Sequence, residues 1–336
     1  MKLLKGCTIM SLIEKFDKTK YSPYIHNITP NSSYIKIDSE QNKGIVHIHN
    51  VFDSVLALFV NISSREWPTA GSEEKDNFIF LNYCIKGRCE VSLDYGLTTC
   101  VNEGEVSISR SSAIKEFLYP LKQYEGIEIL FEVDELSQFD RILKESFNID
   151  IMKTLEYYTL SKLPFTSEMN LKSRQLMKEL WEKRNDENLF EMKMLLLHLL
   201  NLLSEKGISA DNKKRIYLTS AQKQIAKSVE SMITKDLQKK ITAAELAKMF
   251  SVSETTLKTY FKGLYGKNIS TYLQEVRMNE AAKQIAETDN PISDIAAMVG
   301  YENQSKFAAV FKKYSDVSPI EYRRLKHCKI DNIDNE

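Results

Sequence analysis

Apolar and polar residues alternate in short runs from about residue 34 to 133. Examples are Ile45-Val-His-Ile, Val55-Leu-Ala-Leu-Phe-Val, Phe78-Ile-Phe-Leu-Asn-Tyr-Cys-Ile, Cys89-Glu-Val-Ser-Leu, Glu105-Val-Ser-Ile and Gly126-Ile-Glu-Ile-Leu-Phe. A period of two, broken by turn residues, predicts strands, and many short strands predict a small antiparallel barrel or jelly roll. From residue 136 the period lengthens to that of a helix, over 136–147, about 167–184 and 189–206. In the last of these, Leu189, Met192, Leu196, Leu199 and Leu203 follow the 3-4-3-4 spacing of a helix-pair seam. Leu195, Leu197, Leu200 and Leu202 widen the apolar surface, so the helix must also pack on the barrel. Two readings stand: a seam between two copies of the chain, which is the preferred one, and packing within one copy. The polar run Gly207–Thr219 predicts a linker, and residues 220–327 are helical throughout.

The predicted fold class is therefore α+β and multidomain. Residues 1–135 form the β-barrel, 136–206 a helical dimerisation segment, 207–219 a linker, 220–327 an all-α domain and 328–336 a flexible tail. Composition fits a globular chain, with 43% hydrophobic and 27% charged residues among 336. No run approaches the roughly 20 apolar residues that cross a bilayer. Glu14 and Lys15 end the first apolar run too early for a secretory signal, and Cys7 lacks the long apolar stretch that precedes a lipid-modified cysteine. A cytoplasmic location is expected, with the five cysteines as reduced thiols. Net charge is zero, but residues 220–327 hold 17 Lys and Arg against 12 Asp and Glu. A modestly basic C-terminal unit suits a polyanionic partner.

That unit contains a repeat. Thr242–Lys262 and Ile292–Lys312 each carry a short amphipathic helix with an aliphatic–Ala pair (Leu246-Ala247, Ile295-Ala296). A turn follows, then a second helix with apolar residues four apart (Leu257 and Phe261, Phe307 and Phe311). Two helices crossing steeply need a small residue at their contact, which the alanines supply. The turn favours glycine for a left-handed backbone; Gly300 stands there in the second repeat and Ser251 in the first. Val252 and Tyr301 plug the space between helices. Ser253 is placed to cap its helix, Asn290-Pro291 reads as a cap with proline at the first helical position, and Ser318-Pro-Ile-Glu321 as a capping box. Between the repeats, Ile269–Ala286 reads as one helix, a strut of roughly 27 Å at 1.5 Å per residue. Such a strut sets two reading helices near one duplex turn apart, about 34 Å.

The segment Ile241–Arg324, with Ile-Ala-Ala-Met-Val-Gly-Tyr, Phe-Ala-Ala-Val-Phe-Lys-Lys-Tyr and Ser-Pro-Ile-Glu-Tyr-Arg, closely resembles the DNA-binding domain of the AraC/XylS family of bacterial transcription regulators. The resemblance implies a homodimer that binds double-stranded DNA and engages RNA polymerase, with activation the expected sense. It puts the second helix of each repeat in the major groove. Thr255, Lys258 and Thr259 in the first unit, and Gln304, Ser305 and Lys306 in the second, are then the base-reading candidates. Ala309 falls where many relatives carry a longer polar side chain. Lys262, Lys312 and Lys313, with Ser253 and Asn303 at the helix starts, are the phosphate candidates.

The resemblance further implies a cupin-like sensor in the front half. That half is loosely similar to the pyochelin-regulator-like subgroup through Asn82-Tyr-Cys-Ile-Lys-Gly-Arg-Cys-Glu. A barrel of this size encloses one small effector. Its pocket candidates are Trp67, Phe78, Phe80, Asn82 and Tyr83, and the alternation leaves open which strand face lines the interior. His47-x-His49 puts two imidazoles on one strand face, but no Glu follows at cupin spacing, so core or surface histidines are expected and no metal or cofactor. No nucleophile–base arrangement or phosphate loop stands out, so an enzyme is not expected. If Lys86-Gly87 is a two-residue hairpin turn, Cys84 faces Cys89, with Cys100 near. That cluster makes a thiol- or metal-responsive sensor one alternative; a ligand-independent dimeric regulator is another.

Overall fold

The computed structural model describes residues 25–29, 31–38, 43–64, 78–93, 96–186, 188–209 and 216–330. Expectations on Cys7, Glu14, Lys15, Trp67 and the end of the tail lie outside the described residues, as do linker residues 210–215. The chain forms two compact units, Met1–Tyr217 and Leu218–Glu336.

In the first unit the alternating runs become strands β1 (Ile25–Thr29), β2 (Ser32–Asp38), β3 (Lys43–Phe52), β4 (Val55–Ser63), β5 (Phe78–Leu93), β6 (Leu97–Asn102), β7 (Glu105–Arg110), β8 (Ile114–Leu118), β9 (Tyr124–Glu132) and β10 (Phe165–Glu168). They pair antiparallel in the order β1-β2-β3-β4-β9-β5, and β5 then continues to β6. The first half of β5 pairs with β9 and β7, and its second half with β6 and β8. Among the described residues β1 has one sheet neighbour, β2, so the sheet they form is open at that edge and not a closed barrel.

β5 corrects the expected hairpin. Its 16 residues run straight through Lys86-Gly87, with a bulge between Cys84 and Lys86. Gly87 sits at φ +90°, and a Cβ there would lie 2.3 Å from the Gln123 carbonyl, so glycine serves the bulge and a close backbone approach. Cys84 therefore does not face Cys89, which sits opposite Val101 while Cys100 sits opposite Glu90.

One face of the sheet packs against helices α1 (Leu136–Phe147), α2 (Ile151–Tyr158), α3 (Leu171–Glu182) and α4 (Phe190–Ser204). The other face, including Ile48, Leu58, Cys84, Val101 and Leu130, encloses a second apolar core. Leu189, Met192, Leu196, Leu199 and Leu203 all lie in the first core, and the last four are fully buried. They cover the sheet of their own chain and are not available as a seam between two copies. The side chains that α4 leaves exposed include Phe190, Met194 and His198.

The second unit comprises α5 (Ser220–Lys235), α6 (Ala243–Met249), α7 (Glu254–Tyr265), α8 (Ile269–Glu287), α9 (Ile292–Met298), α10 (Gln304–Ser315) and α11 (Pro319–Ile330). Its helix starts are chemically explicit. Thr219–Gln222 and Thr242–Glu245 form capping boxes, and Ser253 Oγ accepts from the Thr256 N–H at 3.1 Å. Ser318 and Glu321 exchange bonds of 2.8 and 3.3 Å, the expected box. At α9 the cap is Pro291, one residue later than expected, and Asn290 instead offers its carbonyl to Arg323 at 2.6 Å.

Both turns adopt the left-handed backbone, with φ +52° at Ser251 and +81° at Gly300. A Cβ is strained there, so Ser251→Gly is expected to stabilise the chain by about 0.5–1 kcal/mol, the relief exceeding the added freedom of the unfolded chain. Thermal unfolding of the two proteins checks this; an unchanged or lower Tm contradicts it.

Candidate functional site

In α7 the apolar stripe Leu257, Phe261 and Leu264 is fully buried, which turns Thr255, Lys258, Thr259 and Lys262 outward. Phe261 is held by Tyr265 and Tyr272, with ring centroids 4.5 and 5.4 Å away. In α10, buried Phe307 and Phe311 turn Gln304, Ser305, Lys306, Ala309, Lys312 and Lys313 to solvent. Every base-reading candidate is thus exposed on the second helix of its repeat.

Their local partners differ. Lys258 pairs with Glu254 one turn earlier, an exposed pair worth at most about 1 kcal/mol that a guanine acceptor could displace. The Thr259 hydroxyl donates to the Thr255 carbonyl at 2.9 Å, leaving its methyl and lone pairs outward. Ser253 and Asn303 are helix caps, accepting from Thr256 and from Lys306 at 2.9 Å, so their side-chain oxygens are committed to their helices. Lys312 and Lys313 lie in the last turn of α10.

A groove of about 610 Å³ beside the start of α10 was missed in the sequence. Its rim includes Lys240, Ser270, Thr271, Gln274, Asn303 and Lys306. The available signal was the polar first turn of α8, Asn268-Ile-Ser-Thr. Arg277 at its wall donates to the Leu237 carbonyl at 2.6 Å and lies 5.9 Å from the Tyr301 ring centre, tying the strut to the second repeat. Lys240 reaches Glu302 at 2.6 Å, and that hydrogen bond holds the Glu302 carboxyl below its usual range.

In the first unit the effector candidates divide between the two sheet faces. Phe78, Phe80 and Asn82 belong to the enclosed core, whereas Tyr83 points the other way, into the core beneath the helices. Tyr83 therefore does not share a pocket with the other three. The Tyr124 hydroxyl donates to Asn82 Oδ1 at 2.8 Å. A separate groove of about 360 Å³, lined by Arg110, Ser112, Thr159 and Lys162 among others, contains none of the candidates.

His49 is buried, with Nδ1 2.9 Å from Ser32 Oγ and Nε2 2.8 Å from the Arg184 carbonyl. Burial lowers the pKa of both His47 and His49. Both ring nitrogens of His49 are occupied structurally, and no group of three or more potential metal ligands occurs among the described residues. Cys84, Cys89 and Cys100 are buried free thiols. Burial pushes Cys84 and Cys89 upward, away from the thiolate that redox chemistry requires.

Burial also raises the Glu128 carboxyl from 4.5 to about 7. A raised carboxyl pKa favours the folded state fully below the unfolded value and loses that contribution as pH climbs through 7. Glu128→Gln is accordingly expected to raise Tm at pH 8 by relieving about 2 kcal/mol, discounted for residual solvent access. The gain should vanish near pH 4.5; a pH-independent difference contradicts this origin.

The second unit is a pair of helix-turn-helix elements joined by one long helix, a DNA-reading class of domain. Residues 246–325 match the helix-turn-helix domain family. The chain is 25% identical over 74% of its length, and 90% of the relative's, to the HTH-type transcriptional activator CsvR of Escherichia coli. It is 28% identical over 52% of its length to the activator CfaD of the same organism, covering 69% of that protein. Among solved structures, the C-terminal domain of AraT, a response regulator from Geobacillus stearothermophilus, is 30% identical over 32% of this chain and 87% of that one, with a TM-score of 0.28. The chain is thus similar to AraC-like transcription regulators, and its second unit carries a helix-turn-helix domain of their kind. Among the described residues no helix is long and apolar enough to cross a membrane.

Proposed function

We propose that this chain is a sequence-specific DNA-binding transcription regulator, acting as an activator, whose first unit binds a small-molecule effector. The observation that carries the DNA-binding reading is the duplicated helix-turn-helix. Each repeat buries an aromatic stripe and turns a row of Thr, Lys, Gln and Ser outward. The net positive charge of residues 220–327 supports a phosphate-rich partner. Activation follows the names of CsvR and CfaD. Residues 1–135 would sense, 136–206 would connect and contribute to a homodimer through residues other than the buried leucines, 207–219 would link, and 220–327 would read DNA. Ligand can shift DNA binding only through differential affinity for two arrangements of the chain.

Salt-resolved binding titrations test the reading. Lys258→Ala is expected to cost about 1–3 kcal/mol on the cognate site with little change on random DNA. Lys312→Ala is expected to weaken all sequences alike and reduce the salt slope by about 1. Equal affinity of the unaltered chain for all duplexes would sink the proposal.

A further inference from the structure

The enclosed face of the sheet carries a polar group that its fold does not use. β9 lies between β4 and β5, and the register sets Glu128 opposite Leu58 on one side and Asn82 on the other. Two residues along, Leu130 sits between Leu56 and Phe80, and beyond it Glu132 faces Phe78. Across these three strands the face is otherwise buried, but Phe80, Glu128 and Glu132 keep accessible surface. Phe80 is the diagonal neighbour of both carboxylates in the register. Among the described residues of β2 to β5, β7 and β9, this face presents no Lys or Arg side chain.

Asn82 gives an independent sign. It is 3% exposed, its Oδ1 is taken by Tyr124, and its Nδ2 has no hydrogen-bond partner. Tyr124 holds that orientation by lying over Gly126, where a Cβ would come 2.3 Å from the phenol oxygen. The amide is thereby fixed with its donor end free. An unpartnered buried donor and a half-buried carboxylate that faces no cation are both costly, and are kept where something else completes them.

We propose that this face binds a small apolar molecule bearing a cationic nitrogen, with Glu128 as counter-ion, Phe80 as the aromatic wall and Asn82 Nδ2 donating to an acceptor on the ligand. The chemistry of the face selects the sign. Carboxylates flanking an aromatic ring attract an ammonium group, and an anion would meet no counter-charge. The inference deepens the reading of the first unit as effector-binding and rests on it.

Calorimetry on the full chain tests the site without DNA, using 2-phenylethylamine, its neutral counterpart 2-phenylethanol and the anion 3-phenylpropionate at pH 6, 7 and 8. The titratable groups that face Glu128 include Cys84, Cys89, Tyr119 and Tyr124. Burial pushes all four upward, so they keep one charge state over this range. Arg88 and Glu90 neutralise each other at 2.9 Å. The ammonium is expected to bind at least tenfold tighter than the other two at pH 8 and to weaken several-fold at pH 6, as Glu128 takes up a proton. Glu128→Gln should abolish the preference. Should that variant not fold, the pH dependence of the unaltered chain decides. No ammonium binding at millimolar concentration overturns the site, as does tighter binding of 3-phenylpropionate that strengthens at low pH. Specific DNA binding, measured separately, stands or falls independently of this result.

Discussion

Gly300→Val is expected to unfold the second repeat and abolish specific DNA binding. Gly300 lies at φ +81°, where a β-branched residue is badly strained. A Cβ there would approach the Leu237 carbonyl to 2.3 Å and the Arg277 guanidinium to 2.7 Å. The arginine could shift, but the carbonyl is backbone and also receives the Arg277 hydrogen bond. Strain, clash and loss of that bond together are expected to cost about 4 kcal/mol or more, in the range reserved for backbone and core disruption. The turn also carries the bonds that end α9, Gly300 N–H to Ala297 and Tyr301 N–H to Ala296, both 2.9 Å. Displacing it tilts α10, and with it Gln304, Ser305 and Lys306. Chemical denaturation and a binding titration check the expectation. A variant within 1 kcal/mol of the parent, still discriminating its site, would show that the turn tolerates a side chain. Ser251→Gly at the equivalent turn is the matched control, with the opposite sign.

The contrast between these turns also explains what could be read from the sequence. The helix-turn-helix pair was legible because its determinants are local. Caps, a small residue at the crossing, a left-handed turn and a stripe four residues apart all lie within about twenty residues. Ser251 hid nothing, since the repeat supplied the geometry that serine alone does not suggest. The first unit was legible only as far as strand periodicity goes. Lys86-Gly87 reads as a hairpin turn, yet the same glycine serves equally in a bulge where β5 passes Gln123, and the choice depends on a partner strand some 35 residues away. Likewise the alternation of residues 78–85 defined two faces but not which would be enclosed. Register with β9 settles that, placing Phe80 and Asn82 inward and Tyr83 under the helices. Glu128 escaped notice because a lone glutamate in an alternating strand looks like a solvent-facing residue.

The helix α4 carries the other large expectation. A 3-4-3-4 apolar stripe describes a coiled-coil seam and a helix lying on its own sheet equally well, because both demand one continuous apolar ridge. Leu196 and Leu199 are fully buried among side chains that include Val51, Val55, Ile127 and Leu176 in one contiguous core. Leu196→Ala is therefore expected to cost about 2–5 kcal/mol of unfolding free energy, the range for a leucine cavity that the surroundings cannot close. The loss should be independent of protein concentration, since the missing contacts lie within one chain. A seam between copies would give the reverse pattern, with modest loss at high concentration and dissociation on dilution. Denaturant midpoints over a hundredfold concentration range, with sedimentation of both proteins, separate the two. A midpoint that falls on dilution in the variant alone would return α4 to the interface. An unchanged midpoint leaves the exposed row of Phe190, Met194 and His198 as the part of this helix available to a second copy.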